Sequence, residues 1–308
     1  MSAFFLPVAG GCCPAKKCYH PARRWGSIRD LESRSSKEGL VIFVNDQSLP
    51  HEPGMRVADL VARMKPGADV VIINGFPAPP TAVLADGDHC WLIRRGEVPS
   101  ATEMDHLLHA RHTPGVHAVL RQATVGIMGL GGLGSPLAVA LARMGAGRLL
   151  LADYDMVEPS NLNRQHYFID QIGLPKTVAL AATLARVNPY VAVECIEARL
   201  TEGDIPRYFA QVDVLAECFD DPAMKAAALR SALRDLPGAG YVGSSGVAGY
   251  GDNNAILTQR LRPRVYIVGD GESEAQPGQG LMAPRVGIAA HHQANQVVRL
   301  LLGVDEER

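Results

Sequence analysis

The sequence predicts an α/β chain in two unequal parts: a nucleotide-binding, mostly parallel sheet over residues 123–308 and, before it, a small ββαββ unit over residues 39–98. Three observations predict it. Residues 124–165 run as strand, glycine turn, helix, strand and acid, which is a complete nucleotide-binding half-fold. Residues 40–93 hold short apolar runs of strand length around one run of helical spacing. Composition, at 47% hydrophobic and 20% charged, is that of an ordinary globular α/β protein, neither disordered nor fibrous.

In the half-fold, residues 125–128 are apolar with β-branched members and fit a buried strand. GLGGLG comes directly after, then a helical run over 135–144 ended by Gly145 and Gly147. A second apolar run, 149–152, delivers Asp153 at its carboxyl end, where a ribose hydroxyl is usually bound. Gly129, Gly131 and Gly134 have the dinucleotide spacing: a tight turn, a close backbone approach to phosphate or ribose, and close helix–strand packing. Gly132 lies within the same loop.

That pattern alone does not separate NAD from ATP. The residues after it do. Asn161, Asn163, Arg164 and Gln165 arrive within a dozen residues of the acid, and Lys176 comes next in GLPKTVAL. Two cations and an amide near a nucleotide's phosphates suit a triphosphate under attack better than a hydride carrier. Lys176 falls in a first helical turn, where a cation opposes the helix dipole, so a functional reason for it outweighs a structural one. Asp155 either serves the site or caps the next turn, and Gln165 either contributes or only braces Arg164.

The small unit begins with a strand over 40–44 and a turn at Asn45, with a returning edge strand near Ser48. Val57, Leu60, Val61 and Met64 share one face of a helix. Strands at 70–73 and 90–93 complete it, the second after the turn of Asp86, Gly87 and Asp88. Residues 99–122 read as a polar linker helix. His106, His109 and His112 lie at i, i+3 and i+6, with no carboxylate or cysteine set to complete a metal site. Residues 1–38 are expected to be a disordered extension; Cys12, Cys13, Cys18 and His20 lack a second ligand pair at zinc spacing.

Beyond the half-fold, helices are expected over 177–187, from Pro222 to about residue 235, and over 286–302. Strands are expected over 191–196, 212–216, 241–247, 255–261 and 265–268, the later ones antiparallel. Cys218 and Asp220 stand at the carboxyl end of one of these strands, where open α/β sheets place ligands, and Asp221 before Pro222 is an N-cap. Residues 269–279 form a polar, glycine-containing loop, a candidate mobile segment.

A net charge of −2 argues against nucleic acid or an anionic membrane as a partner. No apolar run approaches the ~20 residues that span a bilayer, and the N-terminus lacks the ordered regions of a secretory signal. Six scattered cysteines do not form a disulfide framework. A reduced, cytoplasmic protein is expected.

VND after the first strand, the DL of the helix and L-x-DGD before the last strand resemble ThiS-type sulfur carriers, which are β-grasp, ubiquitin-like proteins. Such carriers end in Gly-Gly with a free carboxylate. Here the equivalent place reads RRGEVPS and runs on into Ala101, so this unit cannot itself be the activated carrier. A docking or regulatory module is the expectation.

Over residues 101–303, GLGGLG, LADYD, SNLNRQ, GLPKT and CFDD come in the order of the ThiF/MoeB/HesA superfamily, the adenylyltransferases related to ubiquitin-activating enzymes. MAP, QA and LLG in the last helix resemble it too. The resemblance implies a Rossmann-like sheet with antiparallel C-terminal strands, preceded by the β-grasp domain. It implies ATP-dependent adenylation of a carrier's C-terminal glycine, the carrier being a separate ThiS-like protein serving the thiazole of thiamine. It further implies that the Gly129–Gly134 loop lies against nucleotide and that Asp153 binds ribose. Asn161 and Arg164 would contact the phosphates, Gln165 would lie in the cofactor-binding set, Lys176 would neutralise departing pyrophosphate, and Asp220 would hold Mg²⁺. A homodimer would bring an arginine in trans, with Arg111 the candidate. Family zinc sites use two C-x-x-C pairs, which this chain lacks, so no zinc is expected; with no cysteine after Cys218, the enzyme is expected to stop at the acyl-adenylate. A tRNA-modifying relative that activates a base carboxylate and a nucleotide-binding scaffold or sensor without turnover are the alternatives.

Overall fold

Alternation of side chains along each strand builds the small unit. The computed structural model describes residues 40–305 except 46, 113, 114, 278 and 279, and the expected extension over 1–38 lies outside them. Strands β1 (Val41–Val44), β2 (Gln47–Pro50), β3 (Val70–Ile73), β4 (Phe76–Pro77) and β5 (His89–Ile93) form one sheet in the order β2-β1-β5-β3-β4. β1 and β5 are parallel and the other neighbours antiparallel, as in a β-grasp. Ile42, Val44, Val71, Cys90 and Leu92 point to one face and pack on Val57 and Leu60 of helix α1 (Val57–Met64). β4 was not expected; two residues are too short to leave a pattern.

Helix α2 (Ala101–Arg111) leaves this unit, and α3 (Val116–Leu120) comes after it. The expected single linker helix is thus two. Nor is it wholly exposed, for His117 and Leu120 are buried. His117 is 3% exposed, its Nε2 2.7 Å from Asp105 Oδ1. Ser100 caps α2 through a capping box with Glu103. Lys65, at the end of α1, reaches Glu103 Oε1 at 2.8 Å and Glu97 Oε2 at 3.0 Å, seating the small unit on α2.

The second sheet holds seven strands: β6 (Thr124–Met128), β7 (Arg148–Asp153), β8 (Ala192–Glu197), β9 (Val214–Glu217), β10 (Gly240–Ser244), β11 (Leu257–Arg262) and β12 (Val265–Gly269). Their order is β11-β12-β10-β9-β6-β7-β8. All neighbours are parallel except β11 on β12. The crossovers are α4 (Gly134–Arg143), α5 (Lys176–Val187), α6 (Asp204–Phe209) and α7 (Pro222–Asp235), and α8 (Ala283–Leu301) closes the fold. α6, six residues with an internal proline, is the helix the sequence pattern missed.

Two apolar layers sandwich the sheet. Leu137, Leu141, Ala179, Leu184, Ala290 and Val297 lie in one and Phe209, Ala228 and Tyr241 in the other. β9 comes after β8 in the chain but pairs with β6, so the strand order reverses between β6 and β9. In open parallel sheets the crevice at that reversal, at the carboxyl ends, is where ligands bind.

Candidate nucleotide site at the strand reversal

The glycine loop is shaped by contacts too close for any side chain. Gly129 has φ +88, and a Cβ there would lie 2.8 Å from the Cys218 carbonyl oxygen, across the crevice. A Cβ on Gly134 would stand 1.9 Å from the Gly129 oxygen, so only glycine lets α4 start against the turn. Gly131 has open space, its nearest neighbour 3.8 Å away at Gln165 Nε2. Gly132 lies under the Arg164 stem and Val286. Ser135 Oγ donates to the Gly131 carbonyl at 2.7 Å and accepts the His166 N–H at 3.0 Å, tying the loop to the SNLNRQ turn.

Asp153 closes β7 beside this loop. Its Oδ2 accepts the Leu130 N–H at 2.7 Å and its Oδ1 the Asp155 N–H at 2.8 Å. Burial pushes its carboxyl above the ordinary value, while Lys176 and these two amides pull the other way. The Tyr167 hydroxyl donates to the Leu130 carbonyl at 2.9 Å; burial holds that phenol protonated.

Lys176 opens α5 and is 5% exposed. Its Nζ is 2.8 Å from Asp155 Oδ2, and its N–H donates to the Asp155 carbonyl at 2.9 Å. Asp155 is therefore the residue that orients Lys176, by both its side chain and its carbonyl. Arg164 Nη1 donates to the Ser160 carbonyl at 3.1 Å and to Asn163 Oδ1 at 2.9 Å. Gln165 does not brace Arg164; it is buried beside Gly131 with Oε1 unpartnered. Asn161 is buried, and its Oδ1 accepts the Glu158 N–H at 3.0 Å, holding the 3₁₀ turn.

Across the crevice, Asp220 is exposed and makes no hydrogen bond or ion pair among the described residues, and Asp221 caps α7 by accepting the Ala223 N–H at 2.9 Å. Among the described residues no three His, Cys, Asp or Glu side chains gather as a metal cage. A single exposed carboxylate fits Mg²⁺ brought by a triphosphate, since that ion keeps waters and takes one or two carboxylates with the phosphates. Cys218 is buried, its thiol pushed up by burial, and packs in the core. Arg111 ends α2, but its side chain lies outside the described residues.

Sequence reading missed the buried charges behind the site. Glu217, 1% exposed, pairs with Lys225, and Asp270 pairs with Arg285 at 2.6 Å. Only a lone polar letter inside an apolar run, Glu217 after VLA, signals the first. The glycine-containing loop is tied down rather than loose at its described ends: Asp270 Oδ1 accepts the Glu272 and Ser273 N–H groups, and the Gly249 N–H donates to the Gly280 carbonyl.

Residues 108–308 match the ThiF family, and residues 40–96 match the ThiS-like ubiquitin family. The sulfur carrier protein ThiS adenylyltransferase of Escherichia coli (strain K12) is 32% identical over 197 residues, 60% of this chain and 75% of that one. The molybdopterin-synthase adenylyltransferase of the same organism is 29% identical over 190 residues, 60% of this chain and 75% of that one. The adenylyltransferase and sulfurtransferase UBA4 of Yarrowia lipolytica is 30% identical over 200 residues, 61% of this chain; the match spans 48% of that relative's length. Among solved structures, an E. coli tRNA N6-threonylcarbamoyladenosine dehydratase in complex with AMP superposes with a TM-score of 0.60 at 20% identity, over 68% of this chain and 98% of that one. That likeness shows the fold alone.

Proposed function

The chain belongs to the ThiF family, and from that premise we propose that it adenylates the C-terminal glycine carboxylate of a separate ubiquitin-like sulfur carrier, of the ThiS type that serves thiazole synthesis. One observation carries the reading. Beside the glycine loop, at the carboxyl ends of β6 and β7, stand a half-buried acid, Asp153, the Arg164 stem and the Asp155-held Lys176, a set that supports it.

In the proposed reaction a carboxylate oxygen of the carrier attacks the α-phosphorus of ATP. The bond from that phosphorus to the bridging oxygen breaks, giving acyl-adenylate and pyrophosphate. Anion meets anion, so the site must supply positive charge in fixed positions. Gly129, Gly131, Gly132 and Gly134 let backbone approach the nucleotide, and Asp153 accepts from the ribose hydroxyls. Arg164, Asn161 and Gln165 face the phosphates, and Lys176, neutralised by Asp155 until then, stabilises the departing pyrophosphate. Mg²⁺ at Asp220 would screen phosphate charge. Arg111 is proposed to reach the partner's site in a homodimer.

A separate carrier is supported by the route of the chain's own β-grasp unit. Its last residues run into Pro99, whose carbonyl accepts the Tyr190 hydroxyl at 2.7 Å, just before β8. That is the amino end of the parallel sheet. The glycine loop is at the carboxyl end, about 16 Å away along a five-residue strand.

The test is a mass spectrum of diglycine-ended carriers incubated with the protein, ATP and Mg²⁺. Addition of AMP to a ThiS-like carrier is expected. No adduct and no pyrophosphate exchange with any such carrier would sink the proposal; ATP cleavage dependent on tRNA, or ATP binding without turnover, would replace it.

A further inference from the structure

We propose that Glu217 and Lys225 form a positioning pair that sets the 218–221 loop against the nucleotide site, an inference that rests on the reading of Asp220 as a Mg²⁺ ligand. Glu217 ends β9, and each of its groups is used. Oε1 accepts the Phe219 N–H at 2.7 Å and Oε2 the Ser244 N–H at 3.2 Å. Its carbonyl accepts Gln293 Nε2 from α8 at 2.9 Å. Lys225, in the first turn of α7, donates to Glu217 Oε1 at 3.0 Å, to Ser244 Oγ at 2.8 Å and to the Ser244 carbonyl at 3.1 Å. The pair thus joins β9, β10 and α7 directly behind the crevice.

Between these pins only a short turn is left. Cys218 donates its N–H to the Met128 carbonyl at 2.8 Å, and its own carbonyl is the atom that meets Gly129. Asp221 is fixed as the cap of α7, so Asp220 stands between the Glu217 pin and the cap. A carboxylate is required at 217 for a chemical reason. It accepts on both oxygens, from Phe219 on one side and Ser244 on the other. A glutamine would turn its amide hydrogens toward one of those N–H groups, leaving donor against donor. A pair of this kind, with Glu217 buried and Lys225 half-buried, contributes little net stability over apolar replacements, so its gain is geometric.

The experiment compares Glu217→Gln, Lys225→Met, their double variant and Asp220→Asn in the full chain. The double variant removes both charges together and so avoids the unpaired charge that either single change leaves. Thermal melting, amide hydrogen exchange of the 217–222 segment and carrier-dependent pyrophosphate exchange are read, the last as a function of Mg²⁺. In the double variant the melting temperature holds, the 217–222 amides exchange at least tenfold faster, and kcat falls about tenfold or more with a higher Mg²⁺ requirement and an ATP KM within about twofold. Lys225→Arg, which keeps the cation, restores most of the rate. If Asp220→Asn is impaired while the double variant matches the wild-type chain in rate and amide exchange, the positioning role is wrong and the site reading stands. If Asp220→Asn behaves as wild type, the site reading fails and takes this inference with it.

Discussion

Lys176 Nζ lies 2.8 Å from Asp155 Oδ2 with its side chain only 6% exposed, at the first residue of α5. A cation there is opposed by the helix dipole and by desolvation, and Asp155 offsets both. Lys176→Ala is expected to lower carrier-dependent pyrophosphate exchange by about 10²–10³-fold. Asp155→Asn, which leaves the ammonium without its anchor, should lower it about tenfold. An unchanged rate in Lys176→Ala would remove it from the chemistry.

The glycines separate steric from functional need. Gly134→Ala forces a Cβ to within 1.9 Å of a carbonyl oxygen and should cost about 1–3 kcal/mol of stability together with nucleotide binding. Gly131→Ala meets nothing closer than 3.8 Å, so its melting temperature should match the wild type while ATP affinity falls. Calorimetric melting and ATP titration of both variants check this. Full ATP affinity in Gly131→Ala would mean that the nucleotide does not lie against that residue.

Asp270 sets an acid limit on the strap before α8. Burial would raise its carboxyl, but the Ser273 and Glu272 amides, the Ser273 hydroxyl and Arg285 override this and hold it at about 2 against an ordinary 3.8. A depressed carboxyl stabilises the fold above its unfolded value, and that contribution disappears as pH falls through the folded one. Wild type should therefore lose about 2 kcal/mol between pH 4 and pH 2 through this group. Asp270→Asn should lose that part of the slope. Denaturant titrations across pH, with parallel wild-type and variant curves as the adverse result, decide it.

The seat of the β-grasp unit on α2 should be separable from catalysis. The Glu103 carboxylate raises the Lys65 ammonium's pKa, and Lys65 in turn holds the Glu103 carboxyl at about 2. Both are partly exposed, so Lys65→Ala is expected to speed proteolysis near residues 94–100 and leave carrier KM within about twofold. A sharp fall in carrier KM would show instead that the seated unit obstructs the carrier.

How much of the fold and site was legible depends on how local each signal is. The close approach of Gly134 to Gly129 and the Asp221 cap depend on neighbours within a few residues, and their geometry is written in residue type and spacing; Gly129 against Cys218 and Asp153 against Leu130 are longer-range contacts that family spacing alone marked. The β-grasp strands and α1 were legible because period-2 and period-3.6 patterns report which face is buried. β4 and α6 were not, being too short for either period.

What the sequence by itself determined is the family, the sheet's strand segments and the residue types available at the nucleotide site. Tertiary structure decided which of them meet. Asp155 finds Lys176 across 21 residues, and Glu217 takes Gln293 on its carbonyl across 76. It also decided that the β-grasp tail leaves at the amino end of the sheet, because Pro99 is held by Tyr190. The physical reason is the same in each case. A buried charge or amide must find a partner, and the partner is fixed by strand order and register, which bring together residues that no local pattern links.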